Sequence, residues 1–100
     1  MKAVAFAARG KMELREIPDP EPAAGEVLVD VAYCGVCGSD LHEFASHMPS
    51  MRAAGVFQPV MGHEFAGTIS ALGEDVNGLS VGDPVVVHPG GPCDACYFCK

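Results

Sequence analysis

The sequence is poor in basic side chains. Only six lysine and arginine residues stand against 13 aspartate and glutamate residues, which gives a formal net charge of -7 at pH 7. A protein that binds the phosphates of nucleic acid needs a cluster of cations on one surface. We therefore expect no nucleic-acid partner, and we interpret the acidity as ordinary solvated surface charge.

The sequence also lacks a long hydrophobic run. No segment comes near the roughly 18 consecutive apolar residues that a transmembrane helix requires. The apolar start of the chain is shorter than a signal peptide and is followed at once by charged residues. We therefore expect no membrane partner and, by default, a cytoplasmic location. Five cysteines and four histidines in that reducing compartment indicate metal or redox chemistry before disulfides.

A third absence is the Gly-x-Gly-x-x-Gly pattern, between a strand and a helix, that binds the pyrophosphate of a dinucleotide. A nucleotide-binding domain is therefore expected to be absent from these residues. The chain has 100 residues, of which 49% are hydrophobic, with 12 glycines and 8 prolines. This length and composition predict one loop-rich globular domain over residues 1–100.

Hydrophobic alternation between turn residues predicts fold class β, with short antiparallel strands in a barrel or sandwich. The predicted strands cover residues 2–8, 12–17, 26–33, 64–72 and 83–88, with turns at Arg9-Gly10 and Asn77-Gly78. A short helix is predicted at about Ser39 to Ala45, where Asp40 and Glu43 have the spacing of a capping box.

A first group of candidate metal ligands combines a cysteine and a histidine from separate segments. Cys37 lies in Cys-Gly-Val-Cys-Gly-Ser-Asp-Leu-His, where a predicted strand runs into the helix, and His63 lies in Gly-His-Glu-Phe-Ala-Gly. A helix N-terminus favours the thiolate that a metal requires, and thiolate and imidazole suit Zn²⁺. Each motif alone is ambiguous, because Cys-x-x-Cys also suits redox chemistry and a His-Glu pair is often an ordinary polar strand end.

A second group of cysteines lies near the end of the sequence. Cys93, Cys96 and Cys99 stand at two successive Cys-x-x-Cys spacings. This is the spacing of a zinc knuckle, because the turn directs both sulfurs at one ion. A structural zinc site takes four ligands, and three thiolates bind zinc more weakly than four. The pattern therefore predicts a structural zinc site that is one ligand short, and three thiols without metal are the alternative.

These motifs, in this order, resemble those of the zinc-containing medium-chain alcohol dehydrogenases. The segments that carry the resemblance are Cys34–His42, Gly62–Gly67 with Gly73 and Val76 at fixed offsets, and Val81-Gly82-Asp83 before a valine-rich strand. Within the family, the segment Gly38–Glu43 resembles the polyol and butanediol dehydrogenases more than the short primary-alcohol dehydrogenases. The resemblance covers nearly the whole chain and implies a GroES-like, partly open barrel with short helical segments. Residues 1–100 would then be the N-terminal part of a catalytic domain, which we interpret as a truncation.

The resemblance also implies roles for individual residues around a catalytic zinc. Cys37 and His63 would be ligands of the metal, and Glu64 would lie near it or on it. Asp40 would be a carboxylate that orients a ligating imidazole and raises its basicity. Cys34 matches no ligand, and we expect it to be a small buried side chain.

Two further residues would move a proton. Ser39 matches the hydroxyl that accepts the substrate proton, and His42 matches the histidine that passes this proton toward solvent. In the resembled family a fourth cysteine follows Cys99 after a few residues and completes the structural zinc site. A further ligand of the catalytic zinc also comes later in the family, beyond these residues.

For the intact protein the resemblance implies a zinc-dependent oxidoreductase. It would interconvert a secondary alcohol or polyol and its ketone or aldehyde by hydride transfer to NAD or NADP. The implied partners are a small-molecule substrate and further copies of the chain, in a dimer or tetramer. We expect these 100 residues alone to be inactive, because the cofactor is bound mainly outside them.

Two alternatives belong to other functional classes. A stand-alone zinc-binding, GroES-like interaction module without catalysis would have a gene that ends near Lys100, but it has no use for Ser39 and His42 beside a metal. A thiol redox protein that uses Cys34 and Cys37 would need a βαβ unit and a long helix behind the motif, and the sequence predicts neither.

Overall fold

The fold is seen in a computed structural model that describes residues 1–46, 60–91 and 95–99. In chain order its elements are β1 (Lys2–Ala8), β2 (Lys11–Glu16), β3 (Val27–Cys34), α1 (Gly38–Ser46), β4 (Phe65–Leu72) and β5 (Pro84–Val86). The strands form two antiparallel sheets, the hairpin β1-β2 and the three-stranded sheet β3-β4-β5. The predicted class β with a short helix is confirmed, and each strand has ends within two residues of those predicted.

Helix α1 begins one residue before its predicted start and is capped differently. The carbonyl of Cys37 accepts a hydrogen bond from the amide of Leu41 at 3.4 Å, so Cys37 is the N-cap. The Asp40 carboxylate, in the first turn, accepts a hydrogen bond from the Cys37 amide at 2.9 Å. The predicted pairing of Asp40 with Glu43 is therefore wrong. Cysteine is not one of the usual N-cap residues, so the sequence pattern placed the cap three residues too late.

The hairpin β1-β2 ties together the segments that surround the site. The amide of Gly10, in the hairpin turn, donates to the carbonyl of Phe44 in α1 at 2.8 Å. On the other side, Ala5 forms an isolated bridge with Val60, and the amide of Met61 donates to the carbonyl of Val4 at 3.3 Å. The helix and the segment that leads into β4 are therefore both anchored on the same hairpin.

Strands β3 and β4 approach each other closely because a glycine stands at the contact. A Cβ at Gly67 would lie 2.1 Å from the carbonyl oxygen of Asp30, far inside van der Waals distance. The register runs from Val27 opposite Leu72 to Cys34 opposite Phe65, with two irregularities along it. This pairing brings the end of β3 beside the start of β4, where the candidate ligands lie.

The described residues bury few side chains completely. The buried apolar residues are Ala3, Ala5, Phe6 and Ile69. In contrast, Tyr33 on β3 is 83% exposed and Val86 on β5 is 84% exposed. The three-stranded sheet therefore presents apolar side chains to solvent. Within the described ranges, no helix is long and apolar enough to cross a membrane.

Candidate metal site at the junction of β3, α1 and β4

Three side chains that can ligate a metal converge where β3, α1 and β4 meet. The ligand atoms of Cys37, His63 and Glu64 all lie within 4.8 Å of one another. Cys37 is the N-cap of α1, whereas His63 and Glu64 directly precede β4. Cys37 and His63 are half-buried and Glu64 is exposed. The structure thus brings together the three residues that the sequence suggested as ligands of one zinc ion.

The backbone explains why segments far apart in sequence meet here. Cys34 at the end of β3 pairs with Phe65 at the start of β4. The ladder extends one step further, because the amide of Gly35 donates to the carbonyl of Glu64 at 2.7 Å. The chain then turns into α1 after only two more residues, Val36 and Cys37. The strand pairing therefore fixes the distance between the cysteine and the histidine.

Asp40 links the helix cap to the imidazole. Its side chain is buried, with the residue only 8% exposed. One carboxylate oxygen accepts the hydrogen bond from the Cys37 amide at 2.9 Å. The other lies 3.5 Å from Nδ1 of His63. Asp40 therefore lies where the resemblance requires a carboxylate that orients the imidazole, and it does so from the first turn of α1.

Ser39 and His42 lie on α1 beside this cluster. The hydroxyl of Ser39 is 3.3 Å from Nε2 of His63, so it is in contact with the candidate ligands. His42 is exposed and follows Ser39 by one helical turn, which places both side chains on roughly the same side of the helix. This placement is compatible with the proton relay that the resemblance implies, and the roles of Ser39 and His42 stay a prediction.

The hydrogen bonds within the cluster shift the protonation of two groups in opposite directions. The Ser39 hydroxyl, and after it the Ser39 amide and His63, lower the pKa of the Cys37 thiol by stabilising its thiolate. The hydrogen bond to Cys37 is the main cause that raises the pKa of His63, with Asp40 and Glu64 acting in the same direction. A lowered thiol pKa favours the form of cysteine that binds metals.

The donor set fits Zn²⁺. Thiolate sulfur, imidazole nitrogen and carboxylate oxygen are its usual protein ligands. Three such ligands leave one position of a tetrahedral zinc for a further ligand or an exchangeable group.

Cys34 is not buried, so the expectation for this residue is wrong. It ends β3, which is an edge strand of its sheet among the described residues. Its sulfur donates weakly to the carbonyl of Gly35 at 3.4 Å. Its sulfur also lies against Gly62, where an added Cβ would be 2.7 Å away from it. Among the described side chains, the candidate metal cluster contains Cys37 but not Cys34.

The second cysteine group is described only in part. Cys93 lies outside the described residues. The sulfurs of Cys96 and Cys99 are 3.4 Å apart, and the amide of Cys99 donates to the carbonyl of Cys96 in a tight turn. These two sulfurs therefore point to a common position, as the knuckle spacing requires. Their role as structural zinc ligands, together with Cys93, stays a prediction.

Gly62 is a residue whose role the sequence does not reveal. This residue has a φ of 97°, in the left-handed region that only glycine adopts readily, and it directly precedes His63. The glycine directly before the candidate ligand His63 could have indicated an unusual backbone conformation there. Its meaning depended on the sulfur that lies against it, and no pattern in the sequence reveals that contact.

Comparison with known proteins places the chain in a family. A family model described as the alcohol dehydrogenase GroES-like domain matches residues 23–100. The chain is 41% identical over 97 residues to a (R,R)-butanediol dehydrogenase of Neisseria gonorrhoeae. This match covers 89% of this chain and 27% of that protein. It is also 41% identical over 92 residues to a sorbitol dehydrogenase of Halalkalibacterium halodurans, covering 90% of this chain and 25% of that protein.

A solved structure extends this similarity to the fold. The crystal structure of an Escherichia coli CFT073 alcohol dehydrogenase, complexed with the cofactor NADH, superposes with a TM-score of 0.81 at 38% sequence identity. The superposition covers 99% of this chain and 27% of that one. The predicted GroES-like, partly open β architecture is confirmed. The chain spans about a quarter of the length of these relatives.

Proposed function

This chain belongs to the family of alcohol dehydrogenase GroES-like domains, and on that premise we propose that it is the zinc-binding N-terminal part of an oxidoreductase. The reaction would interconvert a secondary alcohol or polyol and its ketone or aldehyde. The observation that carries the proposal is the cluster of Cys37, His63 and Glu64, with Ser39 in contact with His63. The named activities of the similar butanediol and sorbitol dehydrogenases support this substrate class.

In this proposal Cys37, His63 and Glu64 hold Zn²⁺, which would supply a Lewis acid that makes an alcohol hydroxyl more acidic. Asp40 keeps the proton of the imidazole on Nδ1, so that Nε2 of His63 has its lone pair available for a metal. Since Asp40 is buried and also caps α1, it holds both candidate ligands in one orientation.

The proton of the substrate would leave through Ser39. Its hydroxyl can accept a proton from a group at the cluster and donate its own in the same step. His42, exposed one turn further along α1, would pass the proton to water. This division of roles requires Ser39 to be close to the ligands, and its oxygen is 3.3 Å from Nε2 of His63.

A nicotinamide cofactor would accept the hydride. The similar Escherichia coli structure is a complex with NADH, which supports NAD or NADP as the cofactor of the protein proposed here. The remaining parts of the proposal are a homo-oligomeric enzyme, a cytoplasmic location and a structural zinc at Cys93, Cys96 and Cys99. Family membership and the spacing of the cysteines support these parts, which stay proposals.

Paired cysteine variants of the full-length protein test the proposal. Cys37→Ala should abolish alcohol oxidation and remove about one zinc ion per chain, because it deletes a ligand. His63→Ala should do the same. Cys34→Ala is the matched control, since it removes a neighbouring thiol that lies outside the cluster. Zinc is measured by elemental analysis and activity by the formation of reduced cofactor. Equal zinc loss in the Cys34 and Cys37 variants would contradict the ligand assignment.

A further inference from the structure

The Cys-x-x-Cys motif leaves one cysteine without a role, and its surroundings suggest one. The sulfur of Cys34 lies directly against Gly62 and fills the space where a side chain at that position would begin. A Cβ at Gly62 would be only 2.7 Å from this sulfur, a distance at which one of the two groups must move. The size of the residue at 34 and the absence of a side chain at 62 are therefore matched.

The backbone of Gly62 links its contact with Cys34 to the candidate metal ligand His63. Its φ of 97° is poorly tolerated by residues with a side chain. This conformation sets the direction in which the chain enters His63, whose imidazole belongs to the cluster. Any change that rotates Gly62 therefore also rotates a candidate metal ligand.

The end of β3, which carries Cys34, also holds Glu64, the last residue of the segment that leads into β4. The amide of Gly35 donates to the carbonyl of Glu64 at 2.7 Å, and Cys34 pairs with Phe65. Since Glu64 is held through its backbone, displacement of Gly62 cannot be absorbed by sliding the whole segment along β3. The displacement would fall mainly on the residue between them, His63.

We propose that Cys34 and Gly62 form a size-matched contact that positions His63, and that Cys34 is a positioning residue and neither a ligand nor a redox partner. The proposal rests on the proposed metal site, because its consequence is an imidazole oriented for a metal. It predicts that enlarging either residue weakens metal binding, and that shrinking Cys34 compensates for an added methyl group at Gly62.

The test is a set of variants titrated with Zn²⁺ and with Co²⁺ as a spectroscopic probe. All are made in the full-length protein and carry Cys93→Ser, Cys96→Ser and Cys99→Ser, so that these three cysteines do not contribute. We expect Gly62→Ala and Cys34→Leu each to lower the zinc affinity about 10-fold or more, because substitutions at residues that orient a metal ligand have effects of this size. Cys34→Ala should lower the affinity less than either enlargement, because it removes the contact without displacing Gly62. The double variant Gly62→Ala/Cys34→Ala should bind zinc more tightly than Gly62→Ala alone and shift the Co²⁺ spectrum part of the way back to that of the wild type, because the strain of a side chain at a φ of 97° remains.

This recovery separates the proposal from its rivals. If Cys34 were a ligand, the double variant would bind zinc more weakly than either single variant. If Gly62 mattered only for general stability, removing a second side chain would not restore the spectrum of the site. Wild-type affinity in Gly62→Ala, or no recovery in the double variant, would overturn the proposal.

A measurement without metal keeps this inference distinct from the proposed function. The NMR resonances of the His63 ring in the metal-free protein should shift in Gly62→Ala and return toward their wild-type positions in the double variant. If the wild type bound no zinc through Cys37 and His63, the proposed function would fail while the ring shifts still tested the contact. Unshifted ring resonances in Gly62→Ala would refute the contact itself.

Discussion

Asp40→Asn is the most informative single substitution at the site, because one buried carboxylate serves both the fold and the candidate ligands. Its two oxygens contact the Cys37 amide at 2.9 Å and Nδ1 of His63 at 3.5 Å. Asparagine has nearly the same shape and keeps one oxygen that can accept from the Cys37 amide. It loses the negative charge and offers an amide group to the imidazole. The substitution therefore perturbs the electrostatics while it preserves the packing.

The expected magnitudes differ for folding and for metal binding. A hydrogen bond to a charged acceptor is roughly twice as strong as a neutral one, and an acid near a helix N-terminus contributes about 0.3–1 kcal/mol. We therefore expect the free energy of unfolding of the metal-free protein to fall by about 1 kcal/mol. The zinc affinity should fall roughly 10- to 100-fold, as it does when the partner of a ligating histidine is removed. The substitution is thus expected to weaken zinc binding more than it lowers the free energy of unfolding.

Two assays on the same preparations measure these effects. Denaturant unfolding of the metal-free protein gives the loss of stability, and competition with a chromophoric chelator gives the zinc affinity. Asp30→Asn is the matched control, because Asp30 is an exposed carboxylate on β3 and its loss changes the net charge equally. If Asp40→Asn kept wild-type zinc affinity while its control behaved as expected, Asp40 would have no role in orienting His63.

Three further predictions concern proton transfer, strand packing and association. Ser39→Ala should lower turnover of the full-length enzyme strongly while zinc stays bound, because it removes a proton path and no ligand. Gly67→Ala should lower the free energy of unfolding by about 1–3 kcal/mol, since its Cβ has no room beside the β3 backbone. Gly38→Ala should be nearly neutral because open space surrounds that position. The 100-residue chain should self-associate in sedimentation, because Tyr33 and Val86 are exposed on its sheet.

Each of these predictions has an outcome that contradicts it. Loss of zinc in Ser39→Ala would mean that the hydroxyl supports the ligands and does not only carry a proton. Equal stability changes in the two glycine variants would show that the close approach of β3 and β4 tolerates an added methyl group. A monomer at all concentrations would mean that the exposed apolar side chains do not drive association.

Much of the architecture could be predicted because hydrophobic alternation and turn residues are local signals. The strand β3 was predicted from Val27, Val29 and Val31, which alternate with other residues, and the hairpin from Arg9-Gly10. The convergence of Cys37 and His63 was suggested by motif order, since the sequence contains no direct information on their distance. The pairing of β3 with β4 supplies that distance.

Both errors concern the junction where β3 runs into α1. The helix cap was misplaced because cysteine is an unusual N-cap residue, so the sequence did not indicate that the Cys37 amide donates a hydrogen bond to the Asp40 carboxylate. Cys34 was expected to be buried because it is a small apolar residue, but its place at the end of an edge strand exposes it. In both cases the backbone geometry of a strand-to-helix junction decided the outcome.

The shared use of Asp40 has a thermodynamic consequence for the whole junction. Because the same carboxylate caps α1 and contacts His63, ordering the helix start and orienting the imidazole are not independent events. A metal ion that binds the folded junction more tightly than the unfolded chain stabilises both through mass action. The small number of fully buried apolar residues makes this contribution large relative to the described core. Zinc binding should therefore raise the unfolding transition in wild type and much less in Asp40→Asn.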